Sequence, residues 1–322
     1  MRGCVGAARP DQARREGDGQ QVSGGTPPGA PGPDRIDFGL VIKPEYRTYD
    51  EIEAYWRFAE ESGWDSAWAY DHFFSLGERE DGLAFEGWTL LSAMAAITRR
   101  LRLGLLVVGM THRNPAVLAK EAVTVDYVSR GRLILGLGAA WNEREHQAYG
   151  IPFPSARERV DRFGEAVELI HQLETQERTT FHGRYYQLEN APFEPKPVHG
   201  HLPILIGSTG PRMLRHVARY ADLWDGGGTP EEYAATAARL HALCREIGRD
   251  PGAIRNVLST GTAPLESSER LRAHVAAYAR AGVRSFLFDA PYGPISDELR
   301  RLSTETIPAL RQEFEAGGLG TV

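Results

Sequence analysis

The chain has 322 residues, of which 42% are hydrophobic and 25% are charged, and its formal net charge at pH 7 is −6. This composition is typical of a soluble globular protein, and the sequence has no apolar run near the roughly 18 residues that a membrane span needs. An acidic chain with two cysteines argues against a nucleic-acid partner, a disulfide framework and a cysteine-rich metal site, and it predicts a cytoplasmic protein.

The first 34 residues differ in composition from the rest of the chain. They are rich in glycine, proline, arginine and glutamine and contain almost no large apolar side chains, so burial would not offset the entropy lost on folding. We predict a disordered tail over residues 1–34 and a single domain over residues 35–322. A start codon assigned too far upstream would explain the same composition.

From Ile36 onward, short apolar runs alternate with amphipathic helical patterns. Strict alternation indicates a parallel α/β sheet with right-handed crossovers, and eight units indicate a (β/α)8 TIM barrel. A doubly wound open sheet is the alternative, which the lack of a GxGxxG motif near the first strand disfavours. The predicted strands are Ile36–Ile42, Ser66–Tyr70, Leu101–Gly109, Leu133–Leu137, Pro203–Ser208, Leu223–Gly227, Asn256–Thr262 and Ser285–Ala290.

Local chemistry suggests where several other elements begin and end. Asp50 and Glu53 have the spacing of a capping box at the first helix, and a last helix is predicted over Asp297–Ala316. The segment Thr179–Val198 combines alternating aromatic residues with three prolines, which predicts a small hairpin or another excursion outside the repeat. The helix before the fourth strand is expected to bury one face, formed by Leu118, Ala122, Val125 and Val128.

The stretch from Gly131 to Pro154 organises the predicted site. Gly136 and Gly138 allow a flat ligand to approach the backbone of the fourth strand. An ordinary strand-to-helix loop is the alternative that this local pattern leaves open. Polar and aromatic side chains follow the strand end, where α/β proteins place their chemistry: Asn142, Glu143, His146 and Tyr149.

Two other strand ends carry candidate residues. Asp71 and His72 follow the second strand, and a histidine at a barrel mouth can exchange a proton with a bound ring. A histidine that only hydrogen-bonds a loop is the alternative, and the two side chains need not touch because successive strand residues point to opposite sides. The third strand is apolar up to Gly109–Met110, which suits one face of a flat cofactor and also suits ordinary barrel filling.

The loop after the fifth strand has the composition of an anion-binding turn. Gly207, Ser208, Thr209 and Gly210 lie between that strand and a helix whose first turn contains Pro211. Backbone N–H groups, two hydroxyls and the positive end of a helix together favour a phosphate.

Other motifs give little support for a metal site, a hydrolase or a reactive thiol. His199 and His201 lie two residues apart but have no carboxylate cluster at ligand spacing, so we expect no metal site. The sequence lacks a GxSxG motif, which disfavours a nucleophilic hydrolase. Cys244 lies in a helical pattern, where a small buried hydrophobic residue is a better interpretation than a reactive thiol.

Four segments together resemble the luciferase-like monooxygenase superfamily, in its branch of oxidoreductases that depend on the deazaflavin coenzyme F420. The resemblance covers about Ile36 to Ala316. It rests on Gly63–Phe74, Arg100–Pro154, Thr180–Val198 and Pro203–Arg212.

This resemblance implies a luciferase-like barrel with a deazaflavin ring lying across its mouth. A non-proline cis peptide is implied between Leu106 and Val107, behind the ring. His72 is the implied catalytic residue at the reactive edge, with Asp71 nearby as a cofactor contact. Ala140 is a departure, since many relatives have glycine there. The other implied cofactor-binding residues are Leu106, Val107, Thr111, Gly138, Ala139, Asn142, Gly207, Ser208, Thr209 and Gly210.

The implied activity is hydride transfer between coenzyme F420 and a small organic substrate that the sequence does not identify. An FMN-dependent monooxygenase that uses reduced FMN and oxygen is the main alternative. A flavin-binding protein without turnover is a third hypothesis, which an intact His72 disfavours. The resemblance also implies a homodimer.

Overall fold

The computed structural model describes residues 35–77 and 79–317, so the predicted tail over residues 1–34 lies outside the described residues. The strands follow the predicted runs closely. They are β1 (Asp37–Val41), β2 (Ser66–Ala69), β3 (Arg102–Leu105), β4 (Val108–Gly109), β5 (Leu133–Gly138), β6 (Arg178–His182), β7 (Gln187–Pro192), β8 (Ile204–Gly207), β9 (Leu223–Gly226), β10 (Arg255–Thr260) and β11 (Ser285–Asp289).

The main sheet is parallel and closes on itself. Its order is β3-β2-β1-β11-β10-β9-β8-β5-β4, and a further pairing of β3 with β5 completes the ring. Since β3 and β4 occupy one position in the ring, the sheet has eight positions. The predicted TIM barrel is therefore confirmed, and the open-sheet alternative is wrong.

Helices cover the outside of the barrel, and the first of them begins earlier than predicted. Thr48 is its N-cap and forms the capping box with Glu51, so the predicted pair of Asp50 and Glu53 is wrong. Thr48 has the extended backbone that an N-cap requires, whereas Asp50 is already within the helix. The helices are α1 (Tyr49–Glu61), α2 (Gly87–Ile97), α3 (Pro115–Ser129), α4 (Glu143–Ala148), α5 (Ala156–Thr175), α6 (Pro211–Tyr220), α7 (Pro230–Glu246), α8 (Ser268–Arg280), α9 (Asp297–Arg301) and α10 (Ile307–Glu315).

Two predicted helical details differ from the structure. Val128 was expected on the buried face of α3 but is 44% exposed, because the helical repeat after Val125 places the buried Ser129 inward instead. The predicted last helix contains a π-helical turn at Leu302–Thr306 between α9 and α10. Pro308 follows this turn and lacks the N–H that a regular helix would use there.

The interior of the barrel is built in layers. One layer, which we call the apolar plug, consists of Val41, Trp68, Ile134, Leu205, Leu223, Val257 and Leu287. Because strand side chains alternate between the two faces, residues two positions further along also face inward, nearer the mouth. This layer at the mouth is more polar, and it contains Lys43, Tyr70, Gly136, Gly207, Asp225, Ser259 and Asp289.

The predicted hairpin over Thr179–Val198 is present as the antiparallel pair β6 and β7. It follows α4 and α5 and lies outside the barrel sheet, which confirms that this segment interrupts the repeat. Among the helices of the described residues, none is both long and apolar enough to cross a bilayer.

Candidate active site

A cavity of about 320 Å³ opens at the carboxyl ends of the strands, and we call it the mouth cavity. Three of the predicted site residues, Thr111, Thr209 and Gly210, do not line it. The barrel does bring the other nine together, although they come from four separate strand ends. They are Asp71, His72, Leu106, Val107, Gly138, Ala139, Asn142, Gly207 and Ser208.

The back of the mouth cavity is flat and apolar. The peptide bond between Leu106 and Val107 is cis, as the resemblance implied, and it interrupts the strand between β3 and β4. A Cβ on Gly136 would lie 2.0 Å from the carbonyl oxygen of Leu105, and one on Gly138 would lie 2.7 Å from Val107 Cγ2. These two positions therefore require glycine, because the segment from Leu105 to Val107 packs directly against β5.

The imidazole of His72 is held from behind by a buried carboxylate. Its Nδ1 lies 2.9 Å from Glu145 Oε2, and the backbone N–H of Phe73 donates to Glu145 Oε1 at 2.6 Å. Burial alone would raise the pKa of Glu145, but these hydrogen bonds outweigh it, and the pKa lies below its usual value. An ionised Glu145 accepts a proton-bearing Nδ1, which leaves Nε2 of His72 for a ligand.

Asp71 is engaged with groups from the loop after β4. Arg113 donates to both of its oxygens, at 2.7 and 2.9 Å, and His112 Nδ1 lies 3.3 Å away. Burial would raise the pKa of Asp71, but the hydrogen bonds from His112 and Arg113 lower it overall. As expected from strand alternation, Asp71 and His72 have different partners.

One group in the described part of the chain has the mutual distances of metal ligands: His112, Glu145 and His146, with ligand atoms within 4.8 Å of one another. Both ring nitrogens of His146 are already used, by Thr111 Oγ1 at 2.6 Å and by the carbonyl oxygen of Asn142 at 2.7 Å. Burial lowers the pKa of His146, which favours the neutral ring that this pattern needs. The group is a hydrogen-bonded network, and it accounts for the position of Thr111 behind the cavity.

In the phosphate-binding turn predicted at Gly207–Gly210, two of the backbone N–H groups already donate to acceptors within the protein. The N–H of Ser208 donates to the carbonyl of Asp225 at 3.3 Å, and the N–H of Gly210 donates to Ser208 Oγ at 3.2 Å. The N-cap of α6, Gly210, makes no side-chain capping bond, so the first turn of α6 keeps unsatisfied N–H groups. That helix end lies next to Met213, which lines the mouth cavity.

A second cavity of about 470 Å³, which we call the side cavity, lies beside the mouth cavity. Its lining includes Lys43, Glu45, Tyr70 and Tyr292. The rings of Tyr70 and His72 pack edge to face, with their centroids 6.2 Å apart, so the two cavities adjoin at the end of β2.

Two groups of the side-cavity lining, Lys43 and Tyr70, are held by the same carboxylate. Asp289 binds Lys43 Nζ at 2.8 Å and accepts a hydrogen bond from the Tyr70 hydroxyl at 3.1 Å. Burial first, and then the Asp289 carboxylate, raise the pKa of Tyr70. Tyr70 therefore stays a neutral hydroxyl.

Sequence reasoning missed Glu145, Tyr70 and the inward pair of Lys43 and Asp289. The partner of His72 comes from a helix 73 residues away, and no local pattern indicates that contact. A signal for the others was available, since each stands two residues beyond a member of the apolar plug. Counting alternate residues outward from the plug would have found them.

Comparison with known proteins agrees with this geometry. The family model for luciferase-like monooxygenases matches residues 25–317. The chain belongs to that family. It is 38% identical over 224 residues to an F420-dependent glucose-6-phosphate dehydrogenase of Kineococcus radiotolerans, a match that covers 66% of this chain and 65% of the relative.

One further relative and one solved structure are also similar to the chain. A phthiodiolone/phenolphthiodiolone dimycocerosates ketoreductase of Mycobacterium kansasii is 34% identical over 226 residues, covering 62% of this chain and 60% of that protein. The chain thus spans less than two thirds of the length of these relatives. Among solved structures, an F420-dependent secondary alcohol dehydrogenase with an F420-acetone adduct has a TM-score of 0.78 at 19% identity, covering 86% of this chain and 99% of that one.

Proposed function

We propose that the protein is an oxidoreductase that transfers a hydride between coenzyme F420 and a small organic substrate. The observation that carries the proposal is His72, which Glu145 fixes from behind so that its second nitrogen is left for the mouth cavity. Two proteins to which the chain is similar bear F420 in their names. An FMN-dependent monooxygenase, which the family name suggests, ranks second.

The residues present fit a deazaflavin. The flat wall at Leu106 and Val107, with no side chain at Gly138, would receive one face of the ring. The uncapped first turn of α6 would receive the phosphate, and the hydroxyls of Ser208 and Thr209 lie just before it. When bound, the cofactor supplies two-electron chemistry by giving or taking a hydride at a ring carbon.

His72 would move the proton that accompanies the hydride. Its Nε2 would take a proton from a substrate hydroxyl during oxidation or return one to a carbonyl oxygen during reduction. Glu145 keeps Nδ1 protonated and thereby fixes the tautomer that this role needs. The apolar wall at Val107 would exclude water from the same space.

The side cavity is the proposed substrate space. The two cations on its wall, Lys43 and Arg79, are already paired, with Asp289 at 2.8 Å and with Asp81 at 3.3 Å. Lys43 is neutralised by Asp289, and the carboxylate of Glu45 lines the same space, so this lining favours an uncharged alcohol or carbonyl compound over a phosphate. We also propose that the protein forms a homodimer, which sedimentation equilibrium would test.

Titration of the purified protein with coenzyme F420 and with FMN tests the proposed cofactor. We expect micromolar or tighter binding of F420 and weaker binding of FMN, measured by cofactor fluorescence. Tight FMN binding with no affinity for F420 would contradict the proposal and favour the monooxygenase.

A second experiment tests His72. With 2-propanol and glucose 6-phosphate as probe substrates, we expect F420 reduction with the uncharged alcohol. His72→Ala should slow that reduction at least about tenfold, a barrier increase near 1.4 kcal/mol, while F420 still binds. His171→Ala, an exposed histidine on α5, is the matched control and should leave the rate unchanged. An unchanged rate in His72→Ala would remove this residue from the mechanism.

A further inference from the structure

A carboxyl group for which the described residues provide no cationic partner lies in the barrel wall beside the mouth cavity. Asp225 is on β9, where the neighbouring Trp224 points outward against Tyr233, so the Asp225 side chain points into the barrel. Its two oxygens accept hydrogen bonds from Ser259, from the backbone N–H at 2.8 Å and from the hydroxyl at 2.7 Å. Within the described residues, no basic side chain forms an ion pair with it, and burial raises its pKa to about 6.

Asp225 is adjacent to the predicted cofactor contacts. In the sheet register it pairs with Gly207, and its backbone carbonyl accepts the N–H of Ser208. A Cβ placed on Gly207 would lie 3.6 Å from Val107 Cγ1 and 3.9 Å from Asp225 Oδ2. The missing side chain of Gly207 therefore leaves a gap that has Val107 on one side and the Asp225 carboxyl on the other.

Each oxygen of Asp225 accepts one hydrogen bond from Ser259, and each keeps a further lone-pair site for a donor on a ligand. A buried acid usually has a cationic partner, so an inward-facing acid with only neutral donors beside a cavity is a candidate for ligand binding. Asp289, in the same inward layer, shows the contrast, because Lys43 pairs with it. The ligand that suits Asp225 must be flat enough to enter next to Val107 and must present a donor at its edge.

We propose that Asp225 accepts a hydrogen bond from the imide N–H at the pyrimidine edge of the bound ring. A pyrimidinedione carries that N–H between two carbonyl groups, and both deazaflavins and flavins contain it. Asp225 is thus a cofactor-positioning residue that sets how the ring lies in its plane. The inference rests on the proposal that such a ring occupies the mouth cavity, but it does not depend on which of the two cofactors does so.

The test compares two ring fragments that differ at this one nitrogen, lumiflavin and its N3-methyl derivative. We expect the wild-type protein to bind lumiflavin about tenfold more tightly, measured by fluorescence titration, because the methyl group removes the donor. Asp225→Asn should reduce this preference to less than twofold. Ser259→Ala is the matched control, since it removes a partner of the same carboxylate but keeps its charge, and it should retain the preference.

The full cofactor gives a second readout. Asp225→Asn should weaken the binding of coenzyme F420 about tenfold, with circular dichroism unchanged, whereas Ser259→Ala should stay within about threefold. Equal affinity of the wild type for the two fragments would overturn the inference even if F420 binds, and so would an Asp225→Asn variant that keeps the preference. Discrimination between the fragments without any F420 binding would support Asp225 and contradict the proposed function instead.

Discussion

Buried carboxylates have different partners at the two ends of the barrel interior. At the amino-terminal end, Asp37 is buried and lies 3.0 Å from both Arg102 and Arg255, and Arg255 also donates to Ser285 at 2.7 Å. At the mouth, Asp225 has only neutral donors, and the buried Nε2 of His112 has no hydrogen-bond partner. The amino-terminal network stabilises the fold by pairing its charges, although Asp37 Oδ1 and Arg102 Nε have no hydrogen-bond partner in the part of the chain that the structure describes. At the mouth, Lys43 and Asp289 are paired, whereas no basic side chain of the described residues pairs with Asp225, which is suited to a ligand.

Disrupting the ion pairs of Asp37 at the amino-terminal end of the barrel should have the largest effect on stability. Asp37→Asn keeps the volume of the side chain but removes the carboxylate that Arg102 and Arg255 share, which should lower the free energy of unfolding by about 3 kcal/mol. Urea denaturation measures this. Asp50→Asn, at an exposed position in the first turn of α1, is the control and should change stability by less than about 0.5 kcal/mol. A loss below about 1 kcal/mol in Asp37→Asn would contradict the structural role.

Removing a charge at the mouth should affect the reaction more than the fold. In Glu145→Gln, the amide no longer stabilises the protonated Nδ1 of His72 as a carboxylate does, so kcat should fall about tenfold while KM stays within twofold. Steady-state kinetics with F420 and 2-propanol measures this. A fall in kcat with recovery in Glu145→Asp would strengthen the argument, and an unchanged kcat would contradict it.

A separate ion-pair cluster, next to the amino-terminal ends of β8 and β9, predicts a dependence of stability on pH. His201 lies between Glu174 and Asp222, at 3.1 and 2.8 Å, and although burial opposes the charge, these carboxylates raise its pKa to about 10. Because the folded pKa exceeds the unfolded value near 6.5, the stabilisation is complete below pH 6.5 and is lost as pH rises toward 10. The difference in unfolding free energy between wild type and His201→Asn should therefore shrink across this range. A constant difference would argue against the ion pairs.

The smallest effect is expected at Ala140 in the mouth. This residue has φ = 61°, in the left-handed region that favours glycine. Ala140→Gly should raise the free energy of unfolding by at most about 1 kcal/mol, since relief of strain exceeds the added entropy of the unfolded chain. Thermal unfolding would detect the change, and a lower melting temperature would contradict the interpretation.

Much of the fold could be predicted because each barrel unit repeats the same local pattern. Apolar runs ended by glycine or polar residues located the strands, and the convergence of their ends placed His72, Val107 and Ser208 around one cavity. The errors were local, as at Thr48, where two capping patterns overlap within three residues. The pairing of His72 with Glu145 and the isolation of Asp225 could not be predicted, because each depends on which distant side chains the closed barrel places within a few ångströms.

The apolar plug between the two ends has a practical consequence. Its seven hydrophobic side chains lie between the arginine network and the ligand space, so the charged groups at the two ends do not contact one another. Substitutions that strengthen the base of the barrel can then be combined with a redesigned mouth, and their free-energy effects should add. The scaffold is thus suited to engineering in two independent modules.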